Sequence, residues 1–491
     1  MQNIISFCQK LRTDLFDKAT DIQLALGLAL AGNENAQSPT ELSLSPIFNY
    51  HYSNVSKAIH SLCPDELEYQ EATAKGETVA YQTISDVEKQ FRKIVFQPNF
   101  TPPLYNDKYH LLNIDTTSSV RQYSPCLEDK TYVYNVSNGV AGNKPVNIGH
   151  TISTIGIVDN DPNTNWNPPI SMQRIPSDQN TAKFSAKQLE VILQDKELPF
   201  FSQLSVTAAD SHYCNPYFVG NLYQHENLVQ IVRIAANRNV YKPYQGEQNE
   251  GAGPKKRYGE KYNLSNLTDI LTADHTAKLD FKTNKGRECI VVLKQYDNFI
   301  VKGKNDMPMW DKPFNLIKVE IYDKHSGVLI FNRPMWLTVW GKSANKMTTV
   351  ECYQCFRKRF DIEHFFRFGK QKLLLNGFQS VDIQHVENWL THVMIAYWLL
   401  YVSRFDGQNI VRPWEKYAQK NKKIDNGDKS PDENIAKSPS RTQRALNSII
   451  LGFANKELVP KPRNNSNGRQ KGEVQTKKER SKTIKKSKLG K

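Results

Sequence analysis

His110-Leu-Leu-Asn-Ile-Asp115-Thr-Thr117 is an apolar run that ends on an aspartate just where the pattern turns polar. The same arrangement returns at Leu204-Ser-Val-Thr-Ala-Ala-Asp210-Ser-His-Tyr213. Short runs of this kind read as strands. In an open α/β sheet, ligands bind in the crevice outside the carboxyl ends of the strands, which makes Asp115 and Asp210 candidate site residues. An aspartate after a strand is also an ordinary turn-former or helix cap, and for either residue taken alone that is the better reading.

Further β-like runs at 146–158 and 228–234 complete a central sheet. Residues 1–100 lack period-2 alternation and carry helix-like patterns at 4–31 and 85–96, so a helical N-terminal domain is expected there. After a polar stretch, β-like runs at 289–301, 316–322 and 328–340 predict a separate β-rich unit over 241–348. Helices are expected at 349–372 and 381–404, the second apolar enough to be buried all round. The predicted plan is a helical domain (1–100), the first part of a catalytic core (101–240), a β-rich insertion (241–348), the second part of the core (349–412) and a basic, largely disordered tail (413–491). Only the apolar run at 445–454 is expected to dock as a helix in that tail. Strands begun before an insertion and completed by helices after it describe one α/β domain interrupted in sequence.

The expected helix at 349–372 contains Phe356-Arg-Lys-Arg359-Phe-Asp-Ile-Glu363-His-Phe-Phe-Arg367-Phe-Gly-Lys370. At about 100° per residue, Arg359, Glu363, Arg367 and Lys370 share one face, so a single carboxylate sits in a basic stripe. The plain alternative is a solvated face on which Glu363 pairs with arginines one turn away. This segment resembles the Tyr-x2-Arg-x3-Glu-x6-Lys signature of bacterial insertion-sequence transposases of the DDE type, with Phe356 in place of the tyrosine and Tyr353 one turn earlier. With Asp115 and Asp210 in the expected order, the resemblance spans roughly residues 100–405.

That resemblance implies a ribonuclease H-like core in which Asp115, Asp210 and Glu363 are the catalytic triad and hold two Mg²⁺ ions, Mn²⁺ substituting. Two such ions ~4 Å apart activate a nucleophile and stabilise the leaving oxyanion, and magnesium takes hard oxygen ligands. The implied activity is strand cleavage and strand transfer in cut-and-paste transposition, an endonuclease and recombination chemistry acting on double-stranded element ends and target DNA, with self-association as a dimer on DNA. Arg359, Arg367, Lys370 and Phe356 would face that DNA. Arg233 and Arg238, near the end of the 228–234 run, are further phosphate-contact candidates. Lys144 and His150 follow the first aspartate, and for His150 a structural role is the better reading. Trp336 and Trp340 are better read as packing of the β-rich part than as platforms for a displaced base.

The formal charge of +15 points toward nucleic acid, but its placement weakens the inference. From 461 to 491 there are twelve Lys or Arg against Glu473 and Glu479, so most of the excess lies in the tail, which is expected to bind DNA without sequence preference. Hydrophobic residues at 39% and charged residues at 23% exclude a disordered or fibrous chain. Seven scattered cysteines form no disulfide framework, and Cys352-x-x-Cys355 has no second half-site for zinc. No charged leader precedes an apolar core at the N-terminus, and no apolar run reaches the length of a membrane helix. The expected location is cytoplasmic and nucleoid-associated. Two other functions fit the same residues: a non-catalytic DNA-binding derivative, and a structure-specific nuclease that cuts without joining.

Overall fold

Local sequence sets the helix starts. Helix α1 (Gln2–Lys10) and α2 (Thr20–Ala31) open the chain, followed by α3 (Ser53–His60), α4 (Glu66–Ala74) and α5 (Ile84–Val95). Asp65 with Glu68, and Thr83 with Asp86, form reciprocal capping boxes that satisfy the free amides at the starts of α4 and α5. The computed structural model describes residues 2–17, 19–76, 79–134, 146–161, 164–248, 255–283, 286–407, 410, 436–453, 472 and 478–484. Lys144 and most of the expected tail lie outside these residues.

The chain divides into two units, one of Met1–Pro102, Thr116–Gln179 and Glu363–Lys491, the other of Pro103–Asp115 and Asn180–Ile362. Strand β1 (His110–Val120) contributes to both, changing unit after Asp115.

In the first unit, β2 (Thr131–Tyr134) pairs antiparallel with the start of β3 (Val146–Ile157), and β4 (Pro169–Ile175) pairs antiparallel with the rest of it. The later half of β1 lies beside β3, where Arg121 N donates to Ile148 O at 2.9 Å. The approach is so close that a Cβ on Gly149 would stand 2.1 Å from the Ser119 carbonyl oxygen. Numbering the remaining helices in chain order, α10 (Ile383–Val402) forms the centre of this unit, buried from Asn388 to Val402 without a break. Three of its buried polar side chains donate to backbone: Trp398 Nε1 to Pro169 O at 2.7 Å, Trp389 Nε1 to Leu374 O at 2.9 Å and Asn388 Nδ2 to Cys63 O at 2.8 Å. Such pairing offsets the cost of burying polar groups. Helix α11 (Pro439–Phe453) occurs where the short tail helix is expected but starts six residues earlier, and Ile484 pairs with Thr131 as an isolated bridge. Among the described residues, no helix is long and apolar enough to cross a membrane.

In the second unit, β5 (Ser205–Ala209) and β6 (Leu228–Ile234) run parallel to the first half of β1. β7 (Asn239–Pro243) and β8 (Tyr258–Asn263) form a two-stranded ribbon of their own. β9 (His275–Lys282), β10 (Glu288–Phe299), β11 (Phe314–Asp323) and β12 (Met335–Trp340) pair antiparallel, and β12 then pairs with β6. The unit's sheet is therefore β1-β5-β6-β12-β11-β10-β9. This corrects the expectation of a separate β-rich unit over 241–348: β9 to β12 extend the sheet, because β6 offers an open edge that β12 satisfies in register. Helices α6 (Thr181–Leu193), α7 (Leu267–Ile270) and α8 (Thr349–Lys358) complete the unit. Trp336 and Trp340 are fully buried, the latter stacked on Phe314 at 4.0 Å, so both are packing residues.

Two buried histidines of the first unit make its stability depend on pH. His150 Nε2 donates to Glu128 O at 2.8 Å, and burial pushes its pKa down to about 4. His392, near Ala58 O at 3.3 Å, is likewise pushed down to about 4 by burial. His150 is thus structural. Because the unfolded imidazoles take up protons near pH ~6.5, the neutral folded forms contribute fully above that value and lose their contribution as pH falls toward 4. Unfolding free energy from urea titrations should drop between pH 7 and pH 5 by about 2 kcal/mol per histidine. The dependence should be shallower in His392→Gln; an unchanged slope would exclude that imidazole as a source.

Candidate active site

The parallel pairing of β1 with β5 sets His110 opposite Ser205, Leu111 opposite Val206, Leu112 opposite Thr207 and Asn113 opposite Ala208. His110 anchors this register at its start: its amide donates to Leu204 O at 3.0 Å and its Nε2 meets Gln203 Oε1 at 2.8 Å. The ladder ends at Asn113 and Ala208, two residues before Asp115 and Asp210 respectively. Asp115 and Asp210 therefore both follow the carboxyl-terminal end of the paired stretch of two neighbouring parallel strands. The β5–β6 ladder ends at Ala209 and Val232, so Asp210 and Arg233 each follow its last pair, and the Arg233 side chain is exposed.

The aspartates differ in surroundings. Asp210 caps the turn Ser211–Tyr213, its Oδ1 accepting from His212 N at 2.8 Å, so the plain reading of this residue holds as local structure. Its Oδ2 accepts no bond among the described residues. Asp115 is more enclosed, its side chain 19% exposed, and the Arg359 guanidinium lies 3.5 Å from its Oδ2. The phenol of Tyr213, in the turn that Asp210 caps, is buried. Burial raises its pKa well above the ordinary value, and the negative charges of Asp115 and then Asp210 push in the same direction. One buried hydroxyl thus feels both carboxylates.

Arg359 reaches Asp115 because α8 is fastened to β1. A capping box of Thr348 and Glu351 starts the helix, Tyr109 Oη and Cys355 Sγ meet at 3.2 Å, and Asn113 Nδ2 donates to Lys358 O at 2.7 Å. That last bond also ends the helix. With the Lys358 carbonyl given to Asn113, the Ile362 amide turns to Arg359 O at 3.4 Å and a new helix, α9 (Asp361–Lys372), begins. The expected single helix over 349–372 is therefore two, and Arg359 is not on one face with Glu363, Arg367 and Lys370. It is 9% exposed, with Phe360 against its guanidinium at 4.5 Å.

Phe356 is buried and forms part of the core, which corrects its expected place on the DNA-facing surface: four of the ten residues of α8 turn inward to cover the sheet. Glu363, Arg367 and Lys370 are exposed on α9, in the first unit, and crowding around Lys370 lowers its ammonium pKa by desolvation. Arg238 is exposed, and its charge opposes the burial that pushes the Cys214 thiol up to about 11. Cys352 and Cys355 are buried thiols. Among the described residues no three His, Cys, Asp or Glu side chains are grouped closely enough to hold a metal ion. Sequence reading missed Asn113 and Tyr213. The signal for Asn113 was a lone amide inside an apolar strand.

Residues 72–288 match a family model described as DDE superfamily endonuclease. The match supports a DDE-type transposase or nuclease. It contains both Asp115 and Asp210, fits a ribonuclease H-like core, and implies DNA as the substrate and divalent metal ions as the usual cofactors of such nucleases. Glu363 lies beyond the matched stretch. No curated protein matches the chain.

The ion pair at Asp115 is open to a double-mutant cycle. Arg359→Ala and Asp115→Asn, measured singly and together by denaturant unfolding, should show a coupling of about 1–2 kcal/mol, as expected for contacting charges with little solvent access. Strict additivity would mean that the guanidinium is held by other contacts.

Proposed function

We propose that this chain is a transposase that cuts DNA phosphodiesters at the ends of an insertion sequence and joins the freed 3′ hydroxyl to target DNA, using Asp115, Asp210 and Glu363 as its metal ligands. The β1–β5 ladder, with Asp115 and Asp210 each two residues past its last pair, carries the reading. Two carboxylates fixed by one β ladder present hard oxygen donors, and Asp210 Oδ2 has no protein partner among the described residues. That donor chemistry fits Mg²⁺ or Mn²⁺, with Glu363 as the third ligand. When bound, a pair of such ions lowers the pKa of the attacking water or hydroxyl and stabilises the leaving oxygen.

The chain's own residues do the rest. Backbone bonds between β1 and β5 hold the aspartates in place before DNA arrives, so little reorganisation is left for the reaction. Arg359 balances the charge of the enclosed Asp115, a role that suits its burial better than a contact with DNA. Arg233, exposed and, like Asp210, just past the last β5–β6 pair, is placed to take a phosphate next to the scissile bond. Arg238, Arg367 and Lys370 are exposed cations suited to flanking phosphates. Cutting at two element ends requires two active sites, which favours a dimer on DNA.

A non-catalytic DNA-binding protein is the second reading, favoured by the capping bond of Asp210. Asp210→Asn separates the two, since asparagine caps as well as aspartate but lacks the charge that holds a cation. Stability to denaturant should stay within about 1 kcal/mol of the parent. Cleavage of a labelled element end should fall by several orders of magnitude, as it should in Glu363→Gln. Binding of the same end should survive in both variants. Undiminished cleavage by Asp210→Asn would remove this carboxylate from the chemistry, and undiminished cleavage by Glu363→Gln would remove the third ligand.

A further inference from the structure

One surface of the second unit holds cations laid over aromatic rings instead of against carboxylates. It is built by β7, β8 and the chain that leaves β10. Tyr241 on β7 exchanges both backbone bonds with Ile300, at 2.9 and 2.8 Å, so residues after β10 run beside the ribbon. Lys302 then lies 5.3 Å from the Tyr241 ring and 5.8 Å from the Tyr258 ring, two rings that meet edge to face at 5.4 Å. Arg257 stacks on Trp310 at 4.3 Å, and Lys304 lies over Tyr217 at 4.7 Å.

This surface is held in shape. Lys304 and Met307 close a turn with backbone bonds of 2.9 and 3.1 Å, and a Cβ on Gly303 would stand 2.2 Å from Met307 O. The neighbouring carboxylate, Asp306, accepts from the Tyr217 hydroxyl at 2.8 Å. Among the described residues Arg257, Lys302 and Lys304 make no ion pair, and all three are exposed. Trp310 is 37% exposed, whereas Trp166, Trp336, Trp340, Trp389 and Trp398 are buried.

A solvated charged face would mix signs and would not need rings, while rings that merely packed would not lie at the surface. A polyanion takes the cations off the rings, and the freed ring faces then need a flat partner. Duplex DNA supplies the phosphates but keeps its bases stacked inside; an unpaired strand supplies both. We propose that this ribbon surface binds single-stranded DNA, the cations engaging its phosphates and Trp310 with the tyrosines stacking on its bases. The proposal rests on the reading of the chain as a DNA-processing enzyme and names the form of DNA this surface takes, the unpaired strand that cutting or end opening exposes.

The test uses the full-length chain in EDTA, so that no metal-dependent cleavage contributes. A labelled single-stranded oligonucleotide and the duplex of the same sequence are titrated over a salt series, following anisotropy and intrinsic tryptophan emission. The single strand should quench the emission. Trp310→Leu should remove that quenching and weaken single-strand binding by about tenfold while leaving duplex binding within about twofold. Arg257→Gln and Lys302→Gln should each shallow the single-strand salt slope by about 0.7. Unchanged quenching and affinity in Trp310→Leu, or an equal loss on both forms of DNA, would overturn the proposal. The cleavage assay on Asp210→Asn is independent of these readouts, so the ribbon surface and the active-site reading fail separately.

Discussion

The pairing of β1 with β5 is the constraint on which the site depends. A parallel ladder has no adjustable spacing: once His110 is opposite Ser205, the partner of every later residue is set, and a slip of one residue would turn each side chain to the other face. β5 is buried along its whole length, so such a slip would exchange the side chains packed against its two faces and disrupt the packing on both. The ladder that leads to Asp115 and Asp210, 95 residues apart, is thus set by the hydrophobic requirements of its own strand residues.

A second constraint acts through Asn113. Its amide, inside an otherwise apolar strand, captures the last carbonyl of α8, and that single bond both positions Arg359 beside Asp115 and ends the helix. Buried polar groups must be paired, and a buried amide with one good partner specifies geometry more sharply than apolar contact does. The break between α8 and α9 follows from this demand and not from any helix-breaking residue, for no proline or glycine lies between Thr349 and Phe368.

Charge is used differently in the two units. In the first, Glu88 is completely buried and accepts from Ser171 Oγ at 2.6 Å, Met172 N at 2.7 Å and Gln173 Nε2 at 2.7 Å, with Arg92 at 3.4 Å. This satisfied network ties α5 to β4. On the ribbon surface of the second, Arg257, Lys302 and Lys304 lie over rings and make no ion pair among the described residues, an arrangement that gains little for folding and leaves charge available to a ligand.

Periodicity and composition determined a good deal by themselves. Strand positions around 110, 146, 205 and 228, the buried character of the 383–402 helix and the two strand-end aspartates follow from local patterns, because an apolar run must be covered and its polar terminus must reach water. The family resemblance drawn from the 356–370 segment went further on sequence alone, and the match over 72–288 supports its coarser part, a DDE-type enzyme. Tertiary structure alone decided the rest. Whether β12 would close a separate sheet or add to β6 depends on which edge is open, and whether Arg359 would face solvent or Asp115 depends on a bond from Asn113, 245 residues earlier in the chain. Neither leaves a local signature, since hydrogen-bond partners distant in sequence carry no periodicity. The physical reason is the same in both cases: a sequence states what each segment must bury, while the fold chooses the partner that buries it.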